Sequence, residues 1–303
     1  GVFTPGGTIG NLSALVAARH TARAAAAPGV RPNVLVSTEG AHSSIKSAVE
    51  IMDAEFAGVP VDGEGRLRGD ALREVILARG PQNVFAVVAT AGTTNFGIVD
   101  DLASVAQVCR EFGIWFHVDG AYGGAGLAAP SIRERYAGIE HCDSFIVDPH
   151  KWLFQPYDAA CLWVSRPGAL ERTFSMHPEY LTDTQGGPVD LHNRGLELSR
   201  HSRAAKLWLT LRTYGFDALG QAIGRGIELA SYAEGLIGDS PQLEVVTPAQ
   251  RGILTFAVPG LDDAQHAEVA ALVTADGHAA LTSTVIHGRR VLRLCIINPR
   301  TTH

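Results

Sequence analysis

The chain has 303 residues, 46% of them apolar and 18% charged, with a formal net charge of −6. That composition suits a globular protein with a sizeable core and room for one large α/β domain plus a smaller one. It leaves no basic footprint for nucleic acid or an anionic membrane surface, and no uninterrupted apolar run is long enough to span a bilayer. Cys109, Cys142, Cys161 and Cys295 are scattered, with neither metal-ligand spacing nor a disulfide framework. They point to a cytoplasmic protein without a bound metal. There is no signal peptide, and the chain starts at Gly1, so an N-terminal address would belong to whatever precedes it.

In chain order, the Ala- and Leu-rich stretch from Gly10 to Ala27 predicts a helix stopped by Pro28-Gly29. Val34–Ser37 predicts a short buried strand, followed by a helix over Ser43–Met52 and another over Asp70–Arg79. Val84–Thr90 is a strand, Asp101–Phe112 a helix ended by Gly113, and Ile114–Val118, Ser144–Val147 and Ala160–Val164 are further strands. Alternating strands and helices imply βαβ units and a mostly parallel central sheet flanked by helices. Ser202–Tyr214 and Phe216–Ile237 read as long helices broken at Gly215. After them the pattern changes: strands at Leu243–Val246, Ile253–Val258, Ala280–Ile286 and Val291–Ile297 surround a helix over Asp262–Ala275. This places a boundary near Gly215, with a large domain over residues 1–215 and a smaller C-terminal α+β domain over residues 216–303.

Ligands of open α/β sheets collect at the carboxyl ends of the strands. Four polar groups lie at such ends: Thr38-Glu-Gly-Ala-His42, Ala91-Gly-Thr93-Thr94, Asp119 and His150-Lys151. In a parallel sheet all four face one edge. Thr4-Pro-Gly6-Gly7-Thr8-Ile-Gly10-Asn11 precedes the first helix and could hold a phosphate on backbone N–H groups. It matches neither a dinucleotide-binding nor a Walker pattern: no strand is expected before it, and no Gly-Lys-Ser/Thr follows. Taken singly, each residue has a plainer role. A lysine after a strand is usually a solvated loop residue, Asp119 could cap a helix and His42 could be a core histidine. Together they supply what pyridoxal phosphate (PLP) needs, an amine for its aldehyde and a carboxylate for its pyridinium nitrogen.

The motifs Gly6-Gly-Thr8, Ala41-His-Ser-Ser44, Ala91-Gly-Thr-Thr94, His117-Val-Asp119-Gly-Ala-Tyr122 and Asp148-Pro-His-Lys151-Trp152 occur in that order. Through them, and on through His177-Pro-Glu-Tyr180, Leu198-Ser-Arg200 and Leu292-Arg-Leu-Cys-Ile-Ile-Asn298, the whole chain resembles the group II PLP-dependent amino-acid decarboxylases. These include the aromatic-L-amino-acid, glutamate and diaminobutyrate decarboxylases. The resemblance implies a fold-type I PLP enzyme that removes the α-carboxyl group of an L-amino acid, an aromatic one as first expectation, and works as a homodimer. It implies that Lys151 carries the cofactor, Asp119 pairs with the pyridine nitrogen and His42 stacks on the ring. Gly7, Thr8 and His150 would hold the phosphate, and Thr94 and Ala121 would line the ring. Tyr180 would sit on a mobile loop and return a proton to the substrate carbon, favouring amine over aldehyde.

Two departures stand out. Position 148 is Asp, where several relatives carry a neutral asparagine near the phosphate; a carboxylate there is unfavourable unless it points away or bonds a donor, so it is not counted as a ligand. The chain also begins at the phosphate loop, so it reads as a fragment lacking the family's N-terminal segment and its extreme C-terminus. An aldehyde synthase, a carbon–carbon lyase of the same fold and a non-catalytic PLP-binding fragment remain as alternatives.

Overall fold

Val84–Thr90 (β4) is buried along its entire length, as a strand covered by helices on both faces must be. The structure, a computed structural model, describes residues 1–175, 190–277, 279–286 and 288–303. Before β4 come β1 (Val2–Thr4), α1 (Gly7–Ala25), β2 (Val34–Thr38), α2 (Ser43–Ile51), β3 (Glu55–Val59) and α3 (Gly69–Arg79). After it come α4 (Leu102–Phe112), β5 (Trp115–Asp119), β6 (Ser144–Val147), β7 (Ala160–Val164) and α5 (Ala169–Phe174). These strands form one seven-stranded sheet in the order β1-β7-β6-β5-β4-β2-β3. From β3 to β6 every pairing is parallel, whereas β7 and β1 run antiparallel to their neighbours. The carboxyl ends of β2, β4, β5 and β6 therefore lie on the same edge.

Helix α1 begins at Gly7, three residues earlier than its composition suggests. The amides of Ile9 and Gly10 both donate to Gly6 O at 3.1 Å and close the first turn. The expectation that no strand precedes this segment is corrected: β1 lies directly before it and pairs with β7. Three residues ending at a proline carry no readable period, so only the pairing makes them a strand. Two further elements, β3 and α5, are also absent from the sequence reading. β3 is the far edge of the sheet, and its burial alternates instead of running solid, which weakens its apolar signature.

The second unit follows α6 (Arg203–Tyr214) and α7 (Phe216–Gly238), which meet at Gly215 with φ +82°. It comprises β8 (Glu244–Gln250), β9 (Ile253–Ala257), α8 (Asp263–Asp276), β10 (Thr282–Ile286) and β11 (Arg289–Cys295). Its sheet, ordered β10-β11-β9-β8, is antiparallel throughout. The core does not stop at Gly215. Ile223 of α7 and Ile253 of β9 belong to the same buried cluster as Val87, Phe116 and Trp152 of the first unit. The turn that follows β5 fits closely against α7: a Cβ added to Gly220 would lie 2.4 Å from Ala128 O.

Candidate active site

The four strand ends converge. His42, Thr94, Asp119, Ala121 and Lys151 border a single cleft. Two loops narrow it by backbone contact. Gly92, after β4, has φ +106°, and a Cβ there would meet Gly123 Cα at 2.6 Å. Only glycine permits both that torsion and that approach. A wider cavity of about 1340 Å³ adjoins the cleft and shares His42 and Thr94 with it.

Lys151 sits in a turn after β6, its amide bonded to Asp148 O at 2.9 Å. The next residue, Trp152, is fully buried and stacks on Tyr122 with ring centroids 5.1 Å apart, so the lysine's backbone is anchored while its side chain stays partly exposed. Its Nζ lies 2.9 Å from Asp148 Oδ2. That oxygen also accepts from Gly7 N at 3.2 Å and lies 3.3 Å from His150 Nε2. Asp148, 1% exposed, thus turns Oδ2 toward three donors, while its buried Oδ1 has no hydrogen-bond partner, so the objection to a carboxylate here is met on one oxygen only. Burial lowers the His150 pKa, and its Nδ1 accepts from Ala159 N at 2.9 Å. The proton of the neutral ring is therefore on Nε2, where it donates to Asp148. His150 also lies beside the start of α1, its Cε1 3.7 Å from where a Gly6 Cβ would be.

Asp119 closes β5 and is 5% exposed. Its Oδ1 accepts from Ala121 N and its Oδ2 from Asn11 Nδ2, both at 3.0 Å. His42 caps α2, accepting on Nδ1 from Ser44 N at 3.2 Å. Thr94 holds the cleft's rim to the second unit: its carbonyl accepts from Arg293 Nη2 at 2.7 Å. Thr8 is exposed in the first turn of α1, next to Gly7 and outside the cleft lining. Tyr180 lies outside the described residues. The sequence reading quoted Asn11 at the end of the glycine loop but gave it no role; the clue was an asparagine, a helical turn after Gly7, on the buried face of an alanine-rich helix.

A PLP-sized anionic cofactor fits this donor set. No N-cap side chain bonds into α1 and its first turn carries no acidic residue, but Asp148 takes the Gly7 N–H and Gly6 O takes those of Ile9 and Gly10, which leaves the Thr8 N–H for a phosphate. Lys151, Asp119 and His42 supply an amine, a buried carboxylate and an imidazole in the same cleft. Among the described residues no cluster of His, Cys, Asp and Glu could hold a metal ion, and no helix is long and apolar enough to cross a membrane.

Fold and site together define a fold-type I PLP-binding protein. Residues 1–258 match the family model described as the pyridoxal-dependent decarboxylase conserved domain. An aromatic-L-amino-acid decarboxylase of Bacillus atrophaeus is 36% identical across the whole chain and 65% of its own length. The histidine decarboxylase of Homo sapiens is 32% identical over 89% of this chain and 41% of its own. A crystal structure of Oryza sativa TDC with PLP and tryptamine superposes with a TM-score of 0.89 at 28% identity, covering 98% of this chain and 65% of that one. The chain belongs to the PLP-dependent decarboxylase family, and PLP is its cofactor. It spans less than two thirds of the length of these relatives.

Proposed function

We propose that the protein decarboxylates an L-amino acid at its α-carbon, releasing the amine and carbon dioxide, with an aromatic amino acid as substrate. The convergence of Lys151, Asp119 and His42 on one cleft carries this reading. The names of the Bacillus and rice relatives support the aromatic side chain.

Bound PLP would supply an electron sink for the pair left behind when carbon dioxide departs. Lys151 would hold the cofactor's aldehyde carbon and later displace product from it. Asp119, fixed on both oxygens, would pair with the pyridine nitrogen and favour a proton there. His42 would stack on the ring, and the start of α1 would face the phosphate. Asp148 and His150 keep Lys151 beside that phosphate site. From the family resemblance, Tyr180 returns a proton to the α-carbon.

The protein works as a homodimer in the cytoplasm. Support for the dimer comes from α6, whose only buried residue is Arg203 and which leaves Trp208, Leu209 and Tyr214 exposed. Four free cysteines suit a reducing compartment. The test is a panel of L-amino acids assayed for carbon dioxide, amine, aldehyde and peroxide. Carbon dioxide with equimolar amine from an aromatic substrate is expected. Aldehyde with ammonia and peroxide would make it an aldehyde synthase, a reading given weight by the 0.85 TM-score to the Rhodiola rosea 4-hydroxyphenylacetaldehyde synthase. Release of no carbon dioxide from any of them would overturn the proposal.

A further inference from the structure

Behind the cleft lies a chain of side-chain hydrogen bonds that joins the two groups assigned to opposite parts of the cofactor ring. Trp115 Nε1 donates to Ser144 Oγ at 2.8 Å. Ser144 Oγ lies 2.8 Å from His117 Nδ1, and His117 Nε2 lies 2.8 Å from Asn11 Oδ1. Asn11 Nδ2 then donates twice, to Asp119 Oδ2 and to Ser44 Oγ, both at 3.0 Å. Ser44 Oγ lies 2.8 Å from His42 Nδ1. Asn11, Ser44, His117 and Ser144 are all no more than 3% exposed.

Chemistry fixes the direction of every link. An ionised carboxylate only accepts, so the Asn11 face toward Asp119 must be the NH₂ group and the face toward His117 the carbonyl. A carbonyl only accepts, so His117 carries a proton on Nε2. Burial holds the His117 pKa down at about 4, so near neutral pH the ring has that one proton and Nδ1 is bare. Nδ1 then accepts from the Ser144 hydroxyl, whose oxygen in turn accepts from the indole. On the other branch Ser44 Oγ accepts from Asn11, which leaves its own hydrogen for His42 Nδ1. The backbone amide of Ser44 donates to that same nitrogen. His42 Nδ1 shares its one lone pair between the Ser44 hydroxyl and the Ser44 amide; at every other link one donor faces one acceptor.

We propose that Asn11 is a positioning residue for the decarboxylation site, a single carboxamide that orients Asp119 and, through the Ser44 hydroxyl, adds a second hydrogen bond to His42 Nδ1, which the Ser44 amide already keeps bare. The inference rests on the cofactor reading above for what Asp119 and His42 do, but the network itself does not need the cofactor. Asp119 has one other tether, the Ala121 amide, and without Asn11 its Oδ2 is free to rotate. The side chains of Trp115, Ser144 and His117 lie further back and act through Asn11. They make the carboxamide unable to flip, because a flip would set its NH₂ against the Nε2 proton of His117 and its carbonyl against a carboxylate.

The test compares the wild-type chain with Asn11→Leu, similar in size but without polar atoms, and with Ser44→Ala, which cuts only the branch to His42. Imidazole ¹⁵N spectra of the cofactor-free protein read the tautomers, titration with PLP reads affinity, and thermal melts check folding. Wild type should show bare Nδ1 and protonated Nε2 on both His42 and His117. Asn11→Leu should move the signals of both rings and weaken PLP binding about tenfold or more, the scale of one lost hydrogen bond to a charged group. Ser44→Ala should move His42 and leave His117 in place. A folded Asn11→Leu with both rings unchanged and PLP affinity within twofold of wild type would overturn the proposal. If that variant fails to fold, unchanged His42 signals in Ser44→Ala overturn it instead. A wild-type chain that binds no PLP would overturn the cofactor reading, and the ring signals would then decide the coupling alone.

Discussion

At the scale of single residues, the proposed reaction divides its chemistry among three side chains, which should respond differently to substitution. Lys151 is the amine of the cleft, and Asp148 holds it 2.9 Å away at the phosphate end. Lys151→Ala should abolish both turnover and the covalent adduct that borohydride traps between protein and PLP; a trapped adduct in the variant would move the assignment elsewhere. Asp119→Asn keeps the shape but removes the charge, and turns one of its two acceptor oxygens into a donor facing a donor. Turnover should fall by roughly two or more orders of magnitude, the scale of one lost preorganised electrostatic partner. Normal turnover would remove Asp119 from the role given to it. Tyr180→Phe should still consume substrate and release carbon dioxide but divert product toward aldehyde in air. Unchanged amine yield with no aldehyde would give that tyrosine another task.

At the scale of elements, the end of β4 is held by a buried acid outside the cleft. Asp100 accepts from Leu67 N at 2.8 Å and from Thr90 N at 2.6 Å, tying the strand to the chain ahead of α3. Burial outweighs those two bonds and raises its pKa to about 6. A folded-state value above the unfolded one means that the folded protein binds the proton more tightly. The resulting stability is fully present below the unfolded pKa near 3.8 and lost as pH rises through 6. His117, held at about 4, acts in the opposite sense through part of the same window. The measurement is therefore a difference. Between pH 7 and pH 5 the stability of wild type minus that of Asp100→Asn, from urea melts, should rise by about 1 kcal/mol. A difference independent of pH would mean that Asp100 titrates normally. The strands that bear the site, β2, β4, β5 and β6, were legible because each is a short, solidly apolar run between turn residues. β1 was not, since three residues hold no period, and β3 was not, since an edge strand need bury only part of its length. The Asn11 network was illegible for another reason: these links join residues 27 to 108 positions apart, and each is an ordinary polar residue until the sheet brings them together.

For the whole molecule, the fold accounts for the first unit's burial but covers α6 only in part. Of the twelve residues of α6 only Arg203 is buried, and it is held by Glu197 and Asp158 at 3.0 to 3.2 Å. Trp208 is 60% exposed and Tyr214 70%, with Leu209 and, at the start of α7, Phe216 exposed alongside. These exposed side chains are the surface that the proposed homodimer would cover. The sequence showed α6 as a helix through its propensity, but its sparse apolar periodicity gave no indication of which face would be free. A homodimer formed over this helix predicts that the 32.1 kDa chain sediments at about twice its mass. Trp208→Glu combined with Leu209→Glu should shift it to monomer, since two carboxylates would have to be desolvated in the interface. Because α6 does not border the cleft at Lys151, the double variant should keep its PLP affinity while its decarboxylase activity falls with the dimer. Sedimentation, PLP titration and carbon dioxide release on the same two preparations settle it: a wild-type chain that is a monodisperse, fully active monomer would show that neither α6 nor a partner is required.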